Sequence, residues 1–261
     1  MKLGIISNYA EEDFRHVKDL GLEFIEICTN FDPESEEFIA KADETRRLID
    51  KYELPVLSVG RWNANVIENN AINRDTVSLL KKEIDVAKEI GSPVFHLGVN
   101  RDREQSLFRN YVLAVEYLRE MLDYAGERGV TLSLYNCDWG NFLCCDKAWD
   151  IVLSEFPQLM IKYDCSHVYA RGDDYIAELD KWADRVSHMH LKGALKVNGA
   201  SVDDPPAGLD EFPWPRIFAL LYMHGYDKTL SIEPHSGVWT GELGERGVKY
   251  TVEYMKKLIL K

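Results

Sequence analysis

The sequence predicts an α/β fold, a single (β/α)8 barrel. Three observations lead to this prediction: a length of 261 residues, eight short apolar runs of strand length, and amphipathic segments between them. A chain of roughly 250 residues is typical of eight strand–helix units. An open, doubly wound sheet is the alternative, but the first strand-to-helix turn lacks the glycine-rich loop of a dinucleotide fold. We therefore expect residues 1–261 to form one domain.

The eight apolar runs are predicted to be parallel β-strands. Each run has strand length, and several are rich in β-branched residues. The longest irregular stretch, Lys196–Pro213, follows the seventh run and could form a lid over a site. In chain order the runs are Leu3–Ile6, Phe24–Cys28, Pro55–Val59, Val94–Leu97, Thr131–Tyr135, Met160–Tyr163, Val186–His190 and Thr229–Glu233.

Amphipathic helices are predicted between the strands. Val77, Leu80, Ile84, Ala87 and Ile90 recur at spacings of three or four, which is one helical face. Glycine stands at the end of four such segments and shortly before a strand, where a helix C-terminus needs a left-handed residue. The repeated order of helix, glycine and strand predicts parallel strands with right-handed crossovers. These four glycines are Gly21, Gly91, Gly129 and Gly225.

Charge and cysteine content exclude several classes of protein. The net charge of −13 repels phosphate backbones and anionic membranes, so we expect no nucleic-acid partner and no membrane partner. We find no apolar segment near the roughly 18 residues that span a bilayer, and no signal peptide. An odd count of five cysteines without framework spacing indicates reduced thiols in the cytoplasm. They are Cys28, Cys137, Cys144, Cys145 and Cys165.

Reactive groups of such barrels lie where the strands end. Asp164, His190 and Glu233 end the sixth, seventh and eighth strands, which are neighbours. Their side chains can converge as carboxylate and imidazole ligands of Mn, Mg, Zn or Co. Taken alone, each could equally be a hydrogen-bonded polar group. Three at equivalent positions favour a metal site.

Further polar and aromatic residues near the strand ends are predicted to contact a substrate. Lys192 could instead be a surface lysine, and Trp62 and Trp214 could be ordinary packing residues rather than platforms for sugar rings. His188 shares a strand face with His190 but lies one layer deeper, so a core histidine is the favoured interpretation. The predicted contacts are Glu26, Arg61, Trp62, His96, Asn136, His167, Lys192, Trp214 and His235.

Three strings resemble the last three strand motifs of the xylose-isomerase-like TIM barrels, a superfamily of sugar-phosphate isomerases and epimerases, ketose 3-epimerases, hydroxypyruvate isomerases, inosose dehydratases and AP endonucleases. The resemblance spans the whole chain, and Phe95-His96-Leu97-Gly98 fits the fourth strand. The strings are Tyr163-Asp164-Cys165-Ser166-His167, His188-Met189-His190-Leu191-Lys192 and Leu230-Ser231-Ile232-Glu233.

The resemblance implies a divalent metal held by Glu, Asp, His and Glu from strands five to eight. The metal polarises a carbonyl and hydroxyl pair on a sugar, and the two glutamates move a proton through a cis-enediolate. Asp164, His190 and Glu233 take the last three positions. Tyr135 stands where the first Glu is expected, and Asn136 or Asp138 could supply an oxygen ligand instead.

The tyrosine changes the expected chemistry. A phenol with a pKa near 10, against about 4.3 for Glu, is a poor base at neutral pH, but it can act as an acid or an oxyanion donor. We expect a divalent-metal-dependent isomerase or epimerase, or a related lyase or dehydratase, that acts on a sugar. Glu233 would be ligand and base, and Tyr135 donor or acid. Because elimination needs one base and one acid, the change favours that reaction.

Two other functions stay open at this point. A non-catalytic sugar-binding or partner protein would explain the missing Glu, although buried charges without a function are costly. DNA repair in the AP-endonuclease manner is disfavoured by the acidic charge and by too few metal ligands. The small number of basic residues near the strand ends favours an unphosphorylated carbohydrate. Related barrels often pair, so a homo-oligomer stays open.

Overall fold

Eight parallel strands close into a barrel in the computed structural model, which describes residues 1–260. Each predicted run overlaps one strand, so the predicted (β/α)8 fold is confirmed. The order around the barrel is β1, β12, β9, β8, β7, β6, β3 and β2. The barrel strands are β1 (Lys2–Ile6), β2 (Phe24–Thr29), β3 (Val56–Arg61), β6 (Val94–Leu97), β7 (Thr131–Tyr135), β8 (Met160–Asp164), β9 (Val186–Leu191) and β12 (Thr229–Ile232).

Two further strand pairs are hairpins in the loops. β4 (Ile67–Glu68) pairs with β5 (Ala71–Ile72), and β10 (Leu195–Val197) pairs with β11 (Ala200–Asp203). The second hairpin corrects the prediction that 196–213 is irregular. Asn198 and Gly199 both have positive φ, 53° and 81°. Asn-Gly is a strong signal for the tight turn of such a hairpin, so the sequence contained this information.

Helices cover the outside of the barrel. The four predicted C-terminal glycines have φ between 65° and 79°, as a left-handed cap requires. At the other end of α4, the Asn73 side chain accepts hydrogen bonds from the backbone N–H groups of Asp75 and Thr76. The helices are α1 (Glu11–Asp19), α2 (Asp32–Ala40), α3 (Ala42–Tyr52), α4 (Arg74–Glu89), α5 (Leu107–Gly126), α6 (Asp146–Glu155), α7 (Cys165–Arg171), α8 (Tyr175–Trp182), α9 (Trp214–Met223) and α10 (Gly241–Lys256), with a 3₁₀ turn at Ala183–Arg185.

The interior of the barrel is polar, whereas its outer face is apolar. Leu80, Ile84 and Ala87 of α4 are buried in the core that the helices make with the strands. Inside the barrel, branched apolar residues are the usual filling, but several interior positions here hold charged or hydroxyl side chains. Buried polar groups must be hydrogen-bonded to be tolerated, so the interior side chains hold one another in fixed positions.

Two register shifts decide which side chains face inward. Between Ile161 and Lys162 of β8 the pairing with β9 slips by one residue, so that Lys162 lies opposite His188. A second shift between Ile25 and Glu26 places Glu26 opposite Ser58. Such bulges redirect side chains. Within residues 1–260, no helix is long and apolar enough to cross a membrane.

Candidate active site at the carboxyl ends of the barrel strands

Glu26 is the central carboxylate of the barrel interior. Its side chain lies 2.8 Å from Nε2 of His188 and 3.0 Å from Nε2 of His190. Because β2 and β9 are not neighbours, these groups meet across the interior. Burial alone would raise the pKa of Glu26, but the two imidazoles outweigh it and hold that pKa well below its ordinary value. Nδ1 of His188 also contacts Thr229 Oγ1 at 2.7 Å.

Asp164, His190 and Glu233 converge one layer above, at the strand ends. One ligand atom from each lies within 4.8 Å of the others. His190 Nδ1 is 2.7 Å from Glu233 Oε2, and Asp164 Oδ1 accepts a hydrogen bond from the Ser166 N–H at the start of α7. The second oxygen, Asp164 Oδ2, is buried and has no hydrogen-bond partner among residues 1–260.

Opposite charges in this group stabilise the charged forms of its members. Burial would raise the pKa of Glu233, but the neighbouring charges of His190 and Lys192 hold it well below its ordinary value. Burial would lower the pKa of His190, yet the carboxylates of Glu26 and Glu233 raise it. Glu233 is the most accessible of the three, with 18% of its side chain exposed against 0% for Asp164.

Tyr135 ends β7 but turns its hydroxyl away from this group. The hydroxyl donates to the backbone carbonyl of Trp139 and accepts from the N–H of Asn63, both at 3.3 Å. A Cβ atom at Gly98 would lie only 2.4 Å from the hydroxyl, so glycine leaves the room for this ring. Burial raises the pKa of the phenol. This orientation does not support the predicted role of Tyr135 as an acid or donor beside Glu233.

Trp62 lies between Tyr135 and His190. Its indole stacks on the Tyr135 ring at 5.0 Å and lies nearly parallel to the His190 imidazole at 6.3 Å. A Cβ atom at Gly60 would collide with the indole at 2.2 Å. Trp62 is therefore a buried wall of the site, and its contact with a substrate stays a prediction.

Three predicted contact residues lie at the mouth. His167 Nε2 is 3.4 Å from Asp164 Oδ2, and burial lowers the pKa of His167 to about 4. Lys192 is buried and lies 4.0 Å from Asp204 Oδ2. His235 is exposed and binds the same carboxylate oxygen at 2.9 Å. His167 therefore lies directly against Asp164, whereas Lys192 and His235 both lie near Asp204.

Arg61 and Trp214 lie elsewhere, which corrects their prediction as substrate contacts. Arg61 points to α2, where it donates to Asp32 Oδ1 at 2.5 Å and contacts Ser35. Side chains alternate along a strand, so the inward positions of Ser58 and Gly60 turn Arg61 outward. Trp214 begins α9 in the outer core, and its indole N–H donates to Asp210.

His96 and Asn136 are close to the site but have partners within the protein. His96 Nε2 lies 2.7 Å from Ser58 Oγ, in the layer of His188. The Asn136 amide makes two hydrogen bonds with the backbone of Asp164, at 2.9 and 3.0 Å. Asn136 therefore positions Asp164, and its amide is not free for a substrate in this arrangement.

Sequence reasoning missed Lys162. It lies in β8 two residues before Asp164 and is only 1% exposed. Its ammonium is 3.9 Å from Asp164 Oδ2 and 5.7 Å from the centre of a Trp62 ring. A period-two pattern puts residues i and i+2 on one strand face, so the shared face with Asp164 could have identified it.

Comparisons with known proteins agree with this architecture. The profile of the xylose isomerase-like TIM barrel family matches residues 14–258. A 3-keto-D-glucoside 4-epimerase from E. coli superposes with a TM-score of 0.78 at 15% identity, covering 98% of this chain and 99% of that one. A D-psicose 3-epimerase from Clostridium cellulolyticum H10 gives 0.77 at 14% identity, covering 99% of both.

A third solved structure carries a different activity in its name. The probable 3-DHS dehydratase of petrobactin synthesis from Bacillus anthracis has a TM-score of 0.77 at 13% identity, covering 98% of this chain and 99% of that one. Identities this low establish the shared fold alone. No curated protein sequence matches the chain.

Proposed function

This chain belongs to the xylose isomerase-like TIM barrel family, and from that premise we propose that it is an enzyme that moves a proton next to the carbonyl group of a sugar or sugar derivative. We propose further that Asp164, His190 and Glu233 hold a divalent metal. The observation that carries the proposal is the convergence of these three side chains within 4.8 Å at the end of the barrel where such enzymes place their sites.

The donor set fits a divalent metal. Asp164 Oδ2 is a buried carboxylate oxygen without a hydrogen-bond partner among residues 1–260, which is costly unless a ligand uses it. Glu26 contacts His190 through Nε2 and so leaves Nδ1 directed toward Glu233. A histidine that binds a metal through one ring nitrogen usually donates a hydrogen bond from the other nitrogen to a carboxylate, which fixes the orientation of the ring. Mixed oxygen and nitrogen donors suit Mn, Co, Zn or Mg.

When bound, a divalent ion supplies Lewis acidity that polarises a substrate carbonyl. The protein residues then divide the remaining work. Glu233 is the carboxylate nearest the solvent side, so it is the base that removes the proton next to that carbonyl. Glu26 stays ionised between two imidazoles and fixes the orientation of His190. Trp62 covers the inner side of the site and excludes water.

The position of Tyr135 bears on the class of reaction. A symmetric transfer needs a second carboxylate opposite Glu233, and the fifth barrel strand presents a phenol that is turned to Trp139 instead. An elimination needs one base and a separate acid. We therefore favour a dehydratase-like or other elimination reaction over a two-glutamate epimerisation. Keto-sugars and 3-DHS are the first compounds to test, because a 3-keto-D-glucoside and 3-DHS appear in the names of structural neighbours.

The first experiment measures bound metal. The purified protein is loaded with Mn, excess ion is removed, and the manganese per chain is determined. Wild type is expected to retain near-stoichiometric metal, and Asp164→Ala is expected to lose it. Asp150→Ala is the matched control because Asp150 is an exposed carboxylate paired with Lys181. Equal retention by wild type and Asp164→Ala would refute the assigned site.

The second experiment detects proton transfer without requiring a complete reaction. Candidate keto-sugars are incubated with metal-loaded protein in deuterium oxide, and deuterium at the carbon next to the carbonyl is followed by NMR. Glu233→Gln is expected to abolish incorporation, whereas the exposed Glu242→Gln leaves it unchanged. Exchange that survives in Glu233→Gln would remove Glu233 as the base.

A non-catalytic sugar-binding protein is the second candidate. The orientation of Tyr135 favours it, because one position of the usual ligand set offers no charged group to the site. That function predicts saturable sugar binding by calorimetry, no deuterium incorporation with any bound sugar, and the same binding after metal removal. Metal-dependent exchange with a single sugar would exclude it.

A further inference from the structure

Lys162 is a buried cation beside the proposed metal ligands that the function above does not yet use. Its side chain is 1% exposed and comes from the barrel interior, on the same face of β8 as Asp164. The closest carboxylate oxygen, Asp164 Oδ2, lies 3.9 Å from the ammonium. A further neighbour within residues 1–260 is the ring of Trp62, whose centre lies 5.7 Å from the ammonium.

This arrangement is costly for the fold. An ammonium carries three N–H donors, and removing a charged group from water without hydrogen bonds is unfavourable. The separation of 3.9 Å from Asp164 exceeds the range of a hydrogen bond. The face of Trp62, 5.7 Å away, stabilises a cation only partly. The free energy is recovered when an oxygen of a ligand accepts from Lys162.

The position of the ammonium identifies that oxygen. Asp164 Oδ2 is the atom that a metal takes, so Lys162 keeps free donors in the loaded protein as well. Asp164 lies beside Glu233, the proposed base, and Lys162 lies 3.9 Å from Asp164. Tyr135 brings no charge to this side of the site. A ligand oxygen on this side of the site would therefore meet the positive charge of Lys162 and no charge from Tyr135.

We propose that the Lys162 ammonium binds the substrate oxygen on which negative charge develops. The proposal rests on the proposed function. In the step concerned, the C–H bond next to the carbonyl breaks, its proton passes to the Glu233 carboxylate, and the electron pair forms a C=C bond while the carbonyl π pair moves to oxygen. No bond to Lys162 is made or broken. A fixed ammonium in a dry site stabilises that oxyanion strongly.

Oxalate tests this role because it is a planar dianion with adjacent oxygens, like an enediolate. Its affinity is measured by titration calorimetry for metal-free and Mn-loaded protein. Lys162→Met is expected to weaken oxalate binding at least about tenfold, the loss of one hydrogen bond to a charged group. Lys162→Arg, which keeps the charge, is expected to retain more affinity than Lys162→Met. Lys181→Met is the control, since Lys181 is exposed and pairs with surface carboxylates.

Several outcomes would overturn the proposal. Oxalate affinity in Lys162→Met equal to wild type would do so, and so would a wild type that binds no oxalate in either form. Thermal unfolding is measured on every variant, so that a loss of oxalate affinity is compared only between proteins that are folded at the temperature of the titration. Equal weakening by Lys162→Arg and Lys162→Met would also contradict a role of charge.

The two proposals fail separately. Manganese retention is measured on the same samples, and Lys162→Met should hold the ion as well as wild type or better, because a positive charge beside Asp164 is gone. If wild type holds no manganese but its oxalate affinity still depends on Lys162, the metal assignment fails and this inference stands. If wild type holds manganese and Lys162→Met binds oxalate as tightly as wild type, this inference alone fails.

Discussion

Glu83 offers a test of the packing around the outer end of β3. It is a fully buried residue of α4, and its Oε1 accepts a hydrogen bond from Thr29 at 2.7 Å. Thr29 in turn accepts from Ser35, which Arg61 contacts. The second oxygen, Oε2, has no hydrogen-bond partner among residues 1–260. Burial therefore outweighs these contacts and raises the pKa of Glu83 from 4.5 to about 7.

The raised pKa makes stability depend on pH in a defined direction. The folded protein binds this proton more tightly than the unfolded chain, so the contribution of Glu83 is fully present below about pH 4.5. It is lost as pH rises through about 7, where the folded carboxyl group ionises. One pKa unit corresponds to about 1.4 kcal/mol, so the buried charge lowers the free energy of unfolding by about 3 kcal/mol at pH 8.

Glu83→Gln keeps the shape and the bond from Thr29 but stays neutral. We expect it to be about 3 kcal/mol more stable than wild type at pH 8, roughly 6 °C in Tm, and similar to wild type near pH 4.5. Urea unfolding across this pH range measures both. Glu89→Gln on the same helix is the control, because Glu89 is partly exposed and lies 3.9 Å from Arg46. If Glu83→Gln were less stable than wild type at pH 8, the buried charge would not be the cause of the lost stability.

Three further substitutions probe the barrel interior. Glu26→Gln is expected to lower the free energy of unfolding by about 2–4 kcal/mol, because two imidazoles lose a charged partner, and an unchanged urea midpoint would contradict this. Trp62→Ala should lower the free energy of unfolding by about 3–5 kcal/mol because of the cavity that the indole leaves. A much smaller decrease in calorimetry would show that the indole is loosely packed. Gly98→Ala should cost about 1–3 kcal/mol because its Cβ meets Tyr135. In a Tyr135→Leu background that penalty should vanish, and a persistent penalty measured by urea unfolding would place the clash elsewhere.

The polar interior explains how the site is held in place. Glu26, His188 and Thr229 form a buried chain below His190, and each link is 2.7–2.8 Å long. Such a chain fixes the rotamers of its members, because a broken link leaves a buried polar group unpaired. His190 is therefore presented to Asp164 and Glu233 in one orientation. The favoured interpretation of His188 as a core histidine agrees with its full burial, and its bond to Glu26 ties it to the site.

Local sequence patterns were sufficient to predict the barrel and the rim on which the proposed site lies. Strand-length apolar runs and the glycines that end helices depend only on local patterns, and they predicted the eight strands. Asp164, His190 and Glu233 were identified because each ends a neighbouring strand, and parallel strands bring their ends to one rim. The Asn198-Gly199 turn was equally local, although the hairpin around it was not predicted.

The partners that these side chains contact depend on the tertiary structure. The register shift in β8 sets Lys162 opposite His188, and Asp32 and Ser35 of α2 bind the guanidinium of Arg61. The direction of the Tyr135 hydroxyl depends on the space left by Gly98 and on the loop carbonyl of Trp139. These outcomes depend on contacts between residues far apart in the chain, because packing selects among rotamers that the local sequence leaves nearly equal in energy.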